Sequence, residues 1–301
     1  MTTKRLMLLG ANGQVGQAIR AEPLPEGWKL GAYGHAELDI TQHRLVHKAM
    51  QDFMPDIIIN SAAMTNVDGA EKDHATALAI NFEALANLAA QASSMDVLVI
   101  HISTDYVFDG RDGGTPYKPD DKVNPINIYG DTKFMGEEAL RHELPWHVIL
   151  RVSSVFSAFG RNLLTGIINT IDEKDEIKAV SDQIASPTYA PDIAKAIFVI
   201  ASAIFKGKPD GFGTFHFCGT PPATRLEFIQ AIMDTYAPHT PKRPKITPIS
   251  LKESNAGRAE RPAYSVLDCE KVRAVYGIEQ SDWRVGLAEA VESLQKARLN
   301  D

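Results

Sequence analysis

A chain of 301 residues, 44% of them hydrophobic, can bury a large core as one composite unit or two domains. A net charge of -7 and a pI near 5.7 exclude a global electrostatic footprint for nucleic acid or an anionic membrane, while leaving room for a local basic groove. Cys218 and Cys269 have neither CxxC nor Cys/His spacing, which argues against a disulfide framework and against a zinc site.

Leu6 to Leu9 is an apolar run that Gly10 ends too early for a signal-peptide core or a membrane span, so a cytoplasmic location is expected. With Arg5 it reads as a buried strand, followed by Gly-Ala-Asn-Gly-Gln-Val-Gly at 10–16 and a helix from Gln14 to about Ala21. In that context Gly10, Gly13 and Gly16, with Asn12, Gln14 and Val15 between them, form a turn that lets a pyrophosphate approach the helix N-terminus. The spacing is G-x2-G-x2-G rather than the better-known G-x-G-x2-G.

A second strand, Lys29 to Tyr33, ends at Gly34 and His35, with neither an acid for a ribose 2'-OH nor an arginine for a 2'-phosphate. NADH and NADPH therefore both stay open. Asp39 and Ile40 fit the adenine edge of a cofactor, and Asp39 fits equally well as the cap of a helix from Thr41 to Gln51. Pro55 to Asn60 is another buried strand, and the small Ser61, Ala62 and Ala63 beyond it allow a flat cofactor to lie close. His74 to Ser93 reads as one long helix containing Asn81, and Val97 to Ile102 as a strand with Ser103 or Thr104 offering a hydroxyl at its end. A Gly/Pro/Asp-rich loop then runs to Asn127.

Tyr129 and Lys133 stand four apart in the helix that follows and share a face. An ammonium close to a phenol stabilises the phenolate, lowers the Tyr pKa and makes a general acid. Trp146 to Val152 closes a β-α repetition that predicts an α/β fold with a doubly wound parallel sheet. Residues 1–152 are the expected dinucleotide-binding domain, and 153–301 mainly a smaller C-terminal substrate-binding lobe, with segments around 185–205 returning to the first. In that lobe Asn162 to Asp172, Pro191 to Phe205 and Arg225 to Tyr236 read as helices and Gly213 to Cys218 as a strand. Arg258 and Arg261 fit either a diphosphate or a solvated surface.

Taken in this order, the motifs resemble the extended branch of the short-chain dehydrogenase/reductase superfamily, and within it the dTDP-4-dehydrorhamnose reductase family. The narrower markers are Ser-Thr-Asp-Tyr-Val-Phe-Asp-Gly at 103–110 and Asp-Gln-x3-Pro-Thr at 182–188. The resemblance implies a Rossmann-type fold and hydride transfer from NADPH or NADH to the 4-keto carbon of a dTDP-linked 4-keto-6-deoxy sugar, dTDP-6-deoxy-L-lyxo-4-hexulose. It implies Tyr129 as acid, Lys133 orienting the nicotinamide ribose and holding the Tyr pKa down, and Thr104 bonding the same oxygen. Gly10, Gly13 and Gly16 would take the pyrophosphate, Asp39 and Ile40 the adenine side, and Ala62 and Ala63 the cofactor's middle. Val67, Asp105, Tyr106 and Arg261 would face the sugar nucleotide, with Asn162 and Gln183 as lesser candidates. Ser154, Val155 and Phe156 stand where the family often has Trp-Val-Tyr, which loosens the substrate's identity more than the reaction type. A homodimer is the expected assembly. Mg2+ follows from the resemblance alone, with no ligands identified. Rival readings are an epimerase or dehydratase of the same superfamily, and a non-catalytic subunit like the beta subunit of methionine adenosyltransferase.

Overall fold

The computed structural model describes residues 3–111, 114–208 and 210–300, so the loop expected before Asn127 includes two positions outside the described residues. The chain begins by alternating strand and helix: β1 (Lys4–Leu9), α1 (Gln14–Ala21), β2 (Trp28–Tyr33), α2 (His43–Phe53), β3 (Ile57–Asn60) and α3 (Val67–Lys72). Then come α4 (His74–Leu78), α5 (Ala84–Ser94), β4 (Leu98–Thr104), α6 (Ile128–Glu143) and β5 (His147–Val152). The remainder carries β6 (Val155–Phe156), α7 (Leu163–Thr170), β7 (Glu176–Val180), β8 (Ile184–Ala185), β9 (Thr188–Tyr189) and α8 (Ala190–Phe205). It ends with β10 (Gly213–His216), β11 (Ala223–Thr224), α9 (Arg225–Tyr236), β12 (Lys245–Ile249), α10 (Leu251–Ser254), α11 (Glu270–Tyr276) and α12 (Trp283–Asn300). Among the described residues no helix is long and apolar enough to cross a membrane.

β1, β3, β4 and β5 are buried apolar runs because both faces of the sheet they form are covered. Their period of two sorts the side chains. Leu6, Leu8, Ile57, Ile59 and Ile100 pack with Val15 and Ile19 of α1 and Ile193 and Ile197 of α8. Met7, Leu9, Ile58 and Val99 face the other way, onto Met50 of α2, Leu85 and Leu88 of α5 and Leu140 of α6. Each such side chain contributes about 1.5–3 kcal/mol on burial. All pairings in this sheet are parallel and the strand order is β10-β5-β4-β3-β1-β2, so the winding reverses between β1 and β3. A ligand crevice opens at that reversal, outside the C-terminal strand ends.

Of the 185–205 segment, α8 returns to this layer while β8 and β9 pair with β11 and β6 in the lobe, and a later strand rejoins the sheet as well. α8 packs on α1, and β10, expected in the lobe, pairs with β5 from Gly213 opposite Val148 to His216 opposite Arg151. Phe215 and Phe217 draw it there, since both enter the core beneath α1 and α8. The lobe keeps its own core of Phe156, Leu164, Ile168, Phe228, Ile232 and Trp283. The helix expected over 74–93 is broken in register by a π-turn at Ala79–Glu83. That turn lets Asn81 reach the backbone of Met64 on both sides, accepting at 2.9 Å and donating at 3.2 Å, and meet Thr132 of α6 at 3.1 Å.

Candidate active site

A cavity of about 670 Å³ lies between the sheet's C-terminal edge and the lobe, a size suited to a cofactor and a small ligand. The glycine turn forms one wall. Gly10 has φ +79°, and a Cβ there would stand 2.5 Å from Ala62 N, while one on Gly16 would stand 2.2 Å from Gly10 O. Gly10 packs the turn against the end of β3 and Gly16 packs α1 onto the turn itself, and Asn12, Gly13, Gln14 and Val15 face the cavity. Gly13 is the N-cap of α1 and brings no side chain to cap it, and the first turn carries no acid. The free N-H groups and the dipole of α1 therefore fit a pyrophosphate. Ser61 and Ala63 line the next stretch, with Ala62 behind them against Gly10. Asp39 and Ile40 lie outside this lining. The Asp39 carboxylate accepts both the N-H and the hydroxyl of Thr41, at 2.9 and 2.8 Å, and the N-cap of α2 is Gln42 rather than Asp39.

α6 presents the chemistry. Its N-cap, Asn127, accepts Gly130 N-H and donates to Glu260 O, both at 2.8 Å, so the start of the helix is tied to the lobe. Tyr129 and Lys133 both line the cavity, and Tyr106 meets the Tyr129 ring edge-on at 5.7 Å. Burial pushes the Tyr129 phenol up. A hydrogen bond with Thr104 pulls it back, and the neighbouring Asp105 and Tyr106 push the same way as burial. Lys133, expected from the sequence to hold the Tyr pKa down, is not among the influences on this phenol. Lys133 donates to Ile102 O at 2.8 Å and meets His101 Nε2 at 2.9 Å. Burial brings the Lys133 amine down to about 7, against a smaller upward pull from Glu137.

Thr104 ends β4, and its hydroxyl donates to Asp105 Oδ1 at 3.1 Å. Asp105 is buried and also accepts Ser153 Oγ at 2.8 Å. Burial raises its carboxyl to about 6, opposed by the hydroxyls of Ser265, Ser153 and Thr104. It is thus the hub of a hydroxyl cluster as well as part of the cavity wall. Val67, the first residue of α3, lines the cavity, and so do Asn162 and Gln183. Asn162 makes a capping box with Thr165 on α7, and Gln183 donates to Pro262 O at 3.1 Å, so both have structural duties too. Ser154 lines the wall with φ +43°.

Arg261 is not part of that wall. It pairs with Asp68 at 2.9 Å and donates to Ala259 O at 2.7 Å. Arg225, at the start of α9, lines the cavity, as does Arg161, and Tyr106 feels the charge of Arg261 first and of Arg225 after it. Sequence reading missed Arg225, since the capping box of Thr224 and Glu227 marks a helix start but not what the helix points at. His101 and Asn60, buried beneath Lys133, were missed as well. Among the described residues no cluster of His, Cys, Asp and Glu is placed to hold a metal ion.

The family model described as RmlD substrate binding domain matches residues 4–296. A dTDP-4-dehydrorhamnose reductase of Aggregatibacter actinomycetemcomitans is 35% identical over 94% of this chain and 97% of its own length. A crystal structure of a dTDP-4-dehydrorhamnose reductase from Clostridium acetobutylicum superposes with TM-score 0.88 at 32% identity, covering 97% of this chain and 99% of that one. The Bacillus anthracis enzyme of the same name, in complex with NADP, superposes with TM-score 0.87 at 33% identity over 97% of this chain and 100% of its own. The likeness thus runs nearly from end to end in sequence and in fold, and this chain belongs to the RmlD substrate binding domain family, that of the dTDP-4-dehydrorhamnose reductases.

Proposed function

We propose that this chain reduces the 4-keto group of dTDP-6-deoxy-L-lyxo-4-hexulose to give dTDP-L-rhamnose, with NADPH or NADH as hydride donor. The observation that carries the reading is the meeting of Tyr129, Thr104 and Lys133 in one cavity with the uncapped start of α1. The bound nicotinamide supplies the hydride. As the C4 carbonyl carbon gains that electron pair its oxygen becomes an alkoxide, and Tyr129, held as a phenol, gives it a proton. Thr104 fixes the phenol through their hydrogen bond, and Lys133 offers an N-H donor to the cofactor's ribose. Arg225, which with Arg161 is one of the two arginines lining the cavity, is assigned to the sugar nucleotide's diphosphate, since Arg261 pairs with Asp68. The lobe formed from 153–301, apart from the segments that rejoin the sheet, holds the sugar nucleotide. Homodimeric assembly and a cytoplasmic location belong to the same proposal.

The test is to incubate the protein with dTDP-glucose, the dehydratase and epimerase that precede this step, and each reduced cofactor in turn, then identify the sugar. Formation of dTDP-L-rhamnose is expected. A different 4-hydroxy sugar would reject the named substrate and keep the chemistry, and tightly retained NAD+ with no net reduction would favour an epimerase.

A further inference from the structure

Three basic side chains line the cavity: Lys133, Arg161 and Arg225. Lys133 belongs to the sheet side, bonded to Ile102 O and His101. The two arginines come from the lobe, and they stand in different surroundings. Burial lowers the pKa of Arg225, and the charges it feels are those of Tyr106, Arg261 and Arg258, with Arg161 not among them. Arg161 is exposed, and among the described residues it makes no hydrogen bond or ion pair. Its base, by contrast, is fixed. In the turn between β6 and α7, Asn162 Nδ2 donates to Ser157 O at 2.9 Å and to Phe159 O at 3.1 Å, and Thr165 Oγ1 donates to Gly160 O at 3.0 Å. That turn rests on the first residue of α1. Ser157 Oγ is 3.0 Å from Gln14 Oε1, and a Cβ on Gly160 would meet Gln14 Cγ at 3.8 Å, an ordinary contact. The lobe thus carries Arg161 to the edge of the glycine turn with its guanidinium uncommitted.

The wall across from it is short of positive charge. The N-H groups of Gln14 and Val15 have no partner among the described residues, and the one basic residue of α1, Arg20, lies in its last turn. A helix start offers about half an elementary charge, whereas a dinucleotide's pyrophosphate carries two negative charges. A dinucleotide and a sugar nucleotide bring one diphosphate each, and the cavity holds two arginines set apart from one another. We propose that Arg161 binds the dinucleotide's pyrophosphate from the lobe side, facing the start of α1, while Arg225 serves the sugar nucleotide. The planar guanidinium suits two phosphate oxygens at once. A cofactor held in this way bridges the core beneath α1 and α8 and the lobe's own core, which Phe156 and Leu164 enter on either side of the turn. The inference rests on the proposed reading of the cavity as the site of both ligands.

The experiment is isothermal titration calorimetry of the full chain and of Arg161→Met with NADPH, NADH and dTDP, each alone. In the variant the dissociation constants of NADPH and NADH should rise by about 5–30-fold, the range for a charged hydrogen bond at a partly exposed site. The factor should be the same for both, because both carry the pyrophosphate and only NADPH carries a 2'-phosphate. The constant for dTDP should stay within about twofold of wild type. Cofactor binding should also lose part of its salt dependence, since one cation has left the contact. Arg161 is bonded to nothing in the chain, so the free variant should melt with the wild type, and Arg161→Gln provides a second variant with the same expected pattern. Unchanged affinity for both dinucleotides overturns the proposal. A loss confined to NADPH moves Arg161 to the 2'-phosphate and overturns it too, as does weakened binding of dTDP. A wild type that binds neither dinucleotide rejects the cofactor reading itself, and this inference with it, so the two failures are told apart.

Discussion

Replacing Glu137 by Gln tests how the catalytic helix is held to the sheet. The carboxylate is fully buried and accepts Arg151 in a two-point pair, Nε to Oε1 at 2.9 Å and Nη2 to Oε2 at 2.7 Å, with Arg141 Nη2 adding a third bond at 2.7 Å. Because Glu137 lies one turn past Lys133 and Arg151 lies on β5, the pair fixes α6 against the strand next to β4. Gln keeps the shape, removes the charge and turns an NH2 toward guanidinium donors, leaving a buried cation without its counter-charge. Losing one member of such a pair costs about 3–5 kcal/mol. With an unfolding entropy of about 2.1 cal/mol/K per residue, a chain of this length should lose roughly 5–8 °C of melting temperature. Differential scanning calorimetry of both proteins provides the readout. Burial raises the Glu137 carboxyl, but the charge and hydrogen bonds of Arg151, with help from Arg141, bring it to a net value below the ordinary 4.5. A carboxyl lowered on folding contributes stability that is complete above the unfolded pKa and is lost as pH falls through the folded one. The gap between wild type and variant should therefore be full near neutral pH and close in acid. A midpoint within about 1 °C of wild type at neutral pH, or a gap that widens on acidification, would refute the reasoning.

Tyr129→Phe should lower turnover by about 100-fold or more while cofactor affinity, measured by fluorescence titration, stays near wild type; unchanged turnover rejects Tyr129 as the acid. Arg225→Met should raise KM for the sugar nucleotide by about 10–100-fold, the worth of a charged hydrogen bond, without weakening the cofactor. If Arg261→Met does this instead and Arg225→Met is silent, the diphosphate belongs to Arg261. Lys133→Met should flatten the pH dependence of stability on the alkaline side. In the folded chain the amine is brought from 10.5 to about 7, so between those values the unfolded chain binds a proton that the folded one does not. Stability of the wild type then rises with pH across that window, and urea titrations showing the same slope in the variant would contradict the assignment.

The glycine turn, the strand ends and the Tyr129–Lys133 pair were legible because each is a local pattern: hydrophobic period, turn residue and helical spacing act within a few residues. β10 was harder to place, since its apolar run reads the same in a lobe as at a sheet edge, and pairing with β5 depends on a partner about 65 residues away. The π-turn at 79–83 has no sequence signal, because Asn81 looks like any polar residue in an Ala-rich helix until Met64 is brought beside it. That Arg225 lines the cavity while Arg261 pairs with an acid was hidden for a similar reason. Which arginine is neutralised depends on Asp68, 193 positions from Arg261 in the chain, and no spacing rule reports that. The same limit hid His101, whose strand position was evident but whose contact with Lys133 was not.

Supplying the sugar with NADPH deuterated at C4 of the nicotinamide, in each of its two epimers, tests the central claim that a hydride crosses this cavity to a ketone protonated from Tyr129. One epimer should deliver deuterium to C4 of the product, one deuterium per cofactor oxidised, and Tyr129→Phe should slow that transfer. Product without deuterium at C4 from either epimer would contradict the account.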